Sequence, residues 1–348
     1  LNWNGITVLP GWRDGIGNDI LLDHYRRSEA DVLITLCDAY MLAPEMLSEM
    51  NVAHWLPVDC YPMNFRDQAS MNQTGALPIA MSQFGRDQLK SAGFSPRYIP
   101  HAIDITTFSP PANHKKQRES IGLSDNTFVV GLNAYNKDVM RKAFGEQMLA
   151  FAAFRKRHPD SMLLVHSAVA EPTAVDLQAL AHACGIEKAI LFPDQYSYAV
   201  GTMTAENMAS WYGALDVLTN CSYGEGFGLP ILEAQATGTP VVVTDASSMT
   251  ELCGSGWLVP GDKFWVPAHR GWWMRPDVSS MTAAYESAWQ ARENGTMPAL
   301  REKARQFALK YDADVVLKEC FAPVLDEIQG NLPVKEGVSS GILPETVP

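Results

Sequence analysis

Apolar residues in this chain gather in short continuous runs spaced widely enough for one helix between each pair. Runs at 6–10, 31–36, 52–59, 77–82 and 97–104 predict strands, with helices over 19–28, 44–50 and 83–92 between them. After 106–120, a second series opens with strands at 128–132, 162–166, 189–192, 214–218 and 241–245. Helices over 141–158, 174–184 and 205–213 separate the earlier members of that series. Continuous apolar strands alternating with helices predict parallel sheets covered on both faces. The fold class expected is therefore α/β, with two doubly wound Rossmann-like domains facing a central cleft.

The boundary between the series falls where the pattern lapses. Pro110 and Pro111 precede a basic run, His114, Lys115, Lys116, Gln117 and Arg118, which reads as a solvated helix start. Residues 1–108 form the expected first domain and 109–313 the second. A helix over 314–330 is expected to return to the first domain, followed by a tail at 331–348. Periodicity weakens from Leu258, and 261–276, with Trp265, Trp272 and Trp273, shows no clear element.

Composition narrows the function classes. A length of 348 residues suits two domains. The formal net charge of -12 argues against a nucleic-acid footprint but leaves room for a small anion in a local pocket. No apolar run approaches the ~20 residues of a membrane span. The six cysteines are scattered without a CxxC pair, so reduced thiols in a cytoplasmic protein are expected.

The stretch with most chemistry runs from Ser222 to Ala234. Gly224, Gly226 and Gly228 alternate with Glu225 and Phe227, and Leu229-Pro230 leads into a helix that Gly238 closes. This loop lies between the carboxyl end of a strand and the amino end of a helix, where α/β folds bind phosphates. Glu225 and Glu233 both belong to that strand end. Alone, Glu233 would complement the helix terminus and Glu225 would be a solvated loop residue. Arg141 and Lys142 follow the first strand of the second series, which brings them to the same sheet edge. Cations there would stabilise a departing diphosphate.

Residues 222–230 with Glu233 and Ala234 resemble the E-x7-E signature of retaining glycosyltransferases of family 4, which have the GT-B fold. Supporting matches are 80–86, 99–104 through Phe108, Arg141-Lys142 and 250–252. The resemblance implies transfer of a sugar from a nucleoside-diphosphate sugar, with retention, no metal and no cofactor beyond the donor. It implies that Glu225 meets the donor sugar or sugar–phosphate region and that Glu233 holds the ribose. Lys142 would bind the diphosphate, and Gly224, Gly226, Phe227, Gly228 and Leu229 would form the backbone cradle.

Three departures stand out. Asn136 occupies a position where many relatives have arginine, so Lys137 or Arg141 supplies that charge, or the site runs on one cation. Asp59 stands where relatives often carry a histidine; it orients the sugar or acceptor, or is a strand-end turn residue. The family's opening βα unit has no counterpart before Ile6, and the chain is expected to lack that segment. His166, at a strand end, either approaches the nucleotide or caps a turn. The tryptophans near 265–273 either stack on sugars or pack. The alternatives to a transferase are an inactive nucleotide-sugar-binding module and, less favoured, a GT-B nucleotide-sugar epimerase.

Overall fold

The structure, a computed structural model, describes residues 1–331. The expected tail therefore lies, apart from Asn331, outside the described residues. At the amino end, β1 (Asn2–Trp3) and β2 (Ile6–Thr7) pair antiparallel in an exposed ribbon. The run at 6–10 is thus not a member of a parallel sheet. Its apolar residues lack a covering layer: Trp3, Ile6 and Val8 are exposed.

The first sheet comprises β3 (Leu33–Thr35), β4 (Val52–Leu56), β5 (Leu77–Ala80) and β6 (Arg97–Tyr98), all parallel and in sequence order. The second comprises β7 (Val129–Asn133), β8 (Met162–His166), β9 (Ile190–Leu191), β10 (Val217–Asn220), β11 (Val241–Thr244) and β12 (Gly256–Val259). Its parallel order is β12-β11-β10-β7-β8-β9, which reverses direction beside β7. That reversal places the ends of β7 and β10 at a switch point, where such sheets take ligands. The strands are buried on both faces: every residue of β10 and β11 is inside.

Helices cover both sheets. Phe144–Arg155 buries Phe144, Met148, Phe151 and Phe154 against the second sheet. It starts three residues later than the pattern suggests. Ala143 adopts a left-handed conformation (φ 49°), so Arg141 and Lys142 lie on the preceding loop, not on the helix. The last helix, Ala322–Asn331, returns to the first sheet, where Val324 packs with Ala53, Ile79 and Ile99. Arg97 donates from Nε to Glu327 at 2.6 Å across that contact.

The basic run does begin a helix, His114–Ser120, but Arg118 is not solvated. It is 1% exposed, and its guanidinium donates to Asp216 at 2.5 Å and to the carbonyl of Ala214 at 2.9 Å. Asp216 also accepts from the Val129 N–H at 2.7 Å, so the pair fastens the linker to the start of β7. An arginine this deep is retained because its charge and donors are met.

Residues 261–276 form a regular hairpin, β13 (Gly261–Val266) with β14 (Gly271–Pro276). Its alternation was concealed by aromatics on both faces. Val266 and Trp273 turn inward to Cys60 and Tyr223, while Trp265 remains 43% exposed. The hairpin reaches the first half of the molecule: Trp272 N–H donates to Tyr61 O at 2.8 Å and Tyr61 N–H to Trp272 O at 3.2 Å.

Candidate functional site

The glycine loop follows β10 and meets residues 57–59, which leave the end of β4. Two of its glycines are required by that approach. A Cβ on Gly224 would lie 2.3 Å from the Asp59 carbonyl oxygen, and one on Gly226 would lie 2.6 Å from Pro57 Cα. Gly228 is needed for its φ of +110°, which turns the chain into the helix Leu229–Ala236. The facing surfaces enclose a cleft of about 820 Å³. Its walls include Glu225, Gly226, Phe227, Gly228, Leu229, Arg141 and Lys142 from the second half, with Asp38, Asp59 and His101 from the first.

Glu225 is the hub. It is 7% exposed, with one carboxylate oxygen held by Lys142 Nζ and by Ser222 Oγ (2.6 Å), and the other by Arg141 Nη1 at 3.2 Å. Burial pushes its carboxyl pKa up, yet the Lys142 and Arg141 charges outweigh that and hold it down to about 2. The loop carrying the cations is itself fixed. Asp138 accepts from the N–H groups of Met140 (2.9 Å) and Arg141 (2.6 Å), and the Tyr223 N–H donates to Arg141 O at 2.8 Å. Gln147 donates to Lys142 O at 2.8 Å. Two cations, a carboxylate and the amino end of a helix therefore converge on one cleft wall.

Asp59 stands opposite. Burial raises its carboxyl pKa, against the lowering charges of Arg141 and His269. Asp38 is likewise raised by burial, again with His269 opposing. Asp59, Cys60 and His269 bring one potential metal-ligating atom each to within 4.8 Å of one another. The Cys60 thiol, however, is pushed up strongly by burial and by the Asp59 charge, and Arg141 already faces Asp59. A resident cation there would have to overcome both.

Other expected site residues sit elsewhere. Asn136 is fully buried, donating to the carbonyls of Ala168 (3.1 Å) and Val175 (2.7 Å) and accepting from Val175 N–H at 3.2 Å. Its amide is consumed in holding the loop after β8, so the expected contact with the nucleotide-sugar is not what this side chain offers. Arg141 instead supplies the second cation. Glu233 lies a turn along the helix from Leu229. It accepts from Tyr212 Oη at 2.7 Å, and burial raises its pKa. His166 lines a separate cavity, with Phe192 and Trp211. Asp312 caps the helix Ala313–Val316, accepting from Asp314 N–H at 2.8 Å.

Asp38 and His269 escaped sequence reasoning, and for Trp273, Glu251 and Phe227 the structure adds contacts that the sequence does not show. Asp38 lies two residues past the run at 31–36, and a polar residue there was the available signal. His269 lies in the turn between β13 and β14, and Trp273 in β14. Glu251 crosses between the halves, accepting from the N–H groups of Gln83 (2.9 Å) and Phe84 (3.1 Å) at a helix start. Phe227 leaves the loop for the first half and stacks edge-on with His101 at 5.2 Å.

Two parallel-sheet halves with a phosphate-type loop at their cleft define a GT-B fold of paired Rossmann-like units. Solved structures agree on the fold. Sucrose-phosphate synthase from Thermosynechococcus elongatus superposes with a TM-score of 0.70 at 16% identity, covering 90% of this chain and 77% of that one. Anabaena Alr3699/HepE, solved in complex with UDP-glucose, gives 0.65 at 18% identity, covering 89% and 82%.

Residues 133–268 match the family model Glycosyl transferases group 1. A D-inositol 3-phosphate glycosyltransferase of Xylanimonas cellulosilytica is 32% identical over 150 residues, 41% of this chain and 33% of that protein. The lipopolysaccharide core biosynthesis mannosyltransferase LpsB of Rhizobium meliloti is 30% identical over 162 residues, 45% of this chain and 43% of that protein. The chain thus spans a third to under a half of these relatives.

Proposed function

We propose that the chain is a retaining glycosyltransferase of family 4 type that uses a nucleoside-diphosphate sugar and needs no metal. The observation that carries this reading is the Glu225–Lys142–Arg141 cluster on the glycine loop. Lys142 and Arg141 offer charge to the diphosphate, and the N–H groups of the loop and helix start add to it. As the sugar–phosphate bond breaks, negative charge grows on the phosphate oxygen. Cations fixed in place beforehand lower that barrier without reorganising. Displaced from its cations by the diphosphate, Glu225 accepts hydrogen bonds from sugar hydroxyls. The acceptor hydroxyl attacks from the face the phosphate leaves, which retains configuration, and the departing phosphate oxygen takes its proton. Glu233 serves the ribose, and Asp59 orients the sugar or acceptor. The six unpaired cysteines support a reducing, cytoplasmic setting. The acceptor is left open as a hydroxyl-bearing glycan, lipid or small molecule.

The test is release of nucleoside diphosphate from a panel of UDP-, GDP- and ADP-sugars by the full chain, with chelator present. Replacing Glu225 by Gln is expected to slow release by about 100-fold or more; an unchanged rate sinks the assignment. A second reading, an inactive nucleotide-sugar-binding module, is favoured by the structural role taken by Asn136. It predicts binding of a nucleoside diphosphate with no turnover of any donor.

A further inference from the structure

The hairpin β13–β14 has two unlike faces. Directly opposed residues of an antiparallel pair point to the same face. Trp265 opposes Trp272, and Trp272 forms a further antiparallel bridge with Tyr61. Tyr61, Trp272 and Trp265 therefore make one row across three chain segments, on the face opposite to Val266 and Trp273. That row reaches solvent: Trp265 is 43% exposed, and Trp272 and Tyr61 are half-buried. The two indoles meet edge-on with ring centres 4.9 Å apart, and Lys263 Nζ lies 5.5 Å from the centre of the Tyr61 ring. Packing does not call for this row, because Val266 and Trp273 already anchor the hairpin to Cys60 and Tyr223.

The row borders a cavity of about 140 Å³, which has Tyr61, Phe84 and Trp272 on its walls beside Asp59, Asp245 and Ser247. This space adjoins the charged cleft. Asp59 and Trp273 are walls of both, and Ser247 Oγ accepts the Glu225 N–H at 3.0 Å. The turn of the hairpin enters the cleft wall itself through Ala268 and His269. Shared walls thus join the outward aromatic row to the loop that carries Glu225.

A sugar ring has an apolar C–H face and a rim of hydroxyls. Aromatic side chains cover the first, and carboxylates with an ammonium meet the second. A fatty chain would use the aromatics but would leave Asp59 and Asp245 against hydrocarbon, at a cost. An anionic headgroup would face those carboxylates with like charge.

We infer that the outer face of the hairpin and the cavity beside it bind a saccharide chain, and that this saccharide is the acceptor. The inference rests on the reading of the cleft as a transferase site. Trp265 and Trp272 hold the outer sugar units, and the cavity passes the terminal unit toward the loop of Glu225.

The test uses the full chain. An array of defined oligosaccharides finds binders, calorimetric titration measures them, and UDP, GDP and ADP are titrated alongside. At least one oligosaccharide should bind. Trp265→Ala and Trp272→Ala should each weaken it about fivefold or more, while Trp265→Phe and Trp272→Phe keep most of the affinity. With that oligosaccharide as acceptor, Trp265→Ala should raise its KM by a similar factor and leave kcat within about twofold, as removal of binding made equally in ground and transition states requires. Unchanged nucleoside-diphosphate affinity in Trp265→Ala shows that the variant has folded. A chain that binds a nucleoside diphosphate but no oligosaccharide, or binds one equally well in both alanine variants, overturns the inference and leaves the donor reading intact. Sedimentation with equimolar phosphatidylglycerol–phosphatidylcholine vesicles that Trp265→Ala abolishes would assign the face to a membrane and overturn the inference as well. Absence of binding by every diphosphate and every oligosaccharide overturns both readings.

Discussion

At the scale of single residues, opposite charges brought inside decide most of what is distinctive here. Glu225 is tolerable in the interior only because Lys142, Arg141 and Ser222 meet it. Arg118 and Asp216 show the same logic without any part in the site. Asp216→Ala would leave the buried Arg118 charge without its carboxylate and the Val129 N–H unmet. It should destabilise the chain by about 3–5 kcal/mol in urea unfolding, with little change in the slope against denaturant. Asp67 is a contrary case, since burial and the Asp38 charge raise it to about 7 from 3.8. Between those values the folded chain holds a proton that the unfolded chain has released. Its contribution to stability therefore falls as pH rises from about 4 to about 7. Asp67→Asn should remove that decline, so that the variant gains up to about 4 kcal/mol on wild type across the window, read from unfolding midpoints.

The glutamates, the cation pair and Asp59 were legible as residues because motif spacing ties them to strand ends. Asn136 was not. Nothing in a sequence distinguishes an asparagine that faces a ligand from one whose amide is spent on the carbonyls of Ala168 and Val175. Asp38 and His269 were hidden for a different reason: about 230 residues separate them in the chain, and only the hairpin brings them together.

At the scale of elements, the strand–loop–helix unit around Gly226 was readable in order and close to its bounds, because buried parallel strands write themselves as unbroken apolar runs. The purpose of its glycines was not. Gly224 and Gly226 are small because the end of β4 lies against them, and their φ angles need nothing special. Gly226→Ala should therefore push the loop away from Pro57, costing about 1–3 kcal/mol of stability and weakening nucleotide binding together. A variant with lower stability and full binding would show that the contact is packing alone. The hairpin β13–β14 illustrates the limit of periodicity. Apolar residues on both faces cancel the alternation, and its pairing with Tyr61 is a tertiary fact.

At the scale of the whole molecule, the two-sheet plan followed from pattern, whereas the way the halves join did not. Glu251 at the start of the helix Gln83–Ser91, the Tyr61–Trp272 backbone pair and Phe227 against His101 all cross between them. These contacts place the cations of one half opposite the carboxylates of the other, and the cleft's chemistry arises from that opposition. The proposed function requires Lys142 and Arg141 to be a diphosphate site. Its most direct test is calorimetric titration of UDP, GDP and ADP into the full chain and into Lys142→Met, with chelator present. At least one diphosphate should bind the wild-type chain and bind the variant about 30-fold or more weakly. Equal affinity for the two proteins, or no binding to the wild type, would contradict it.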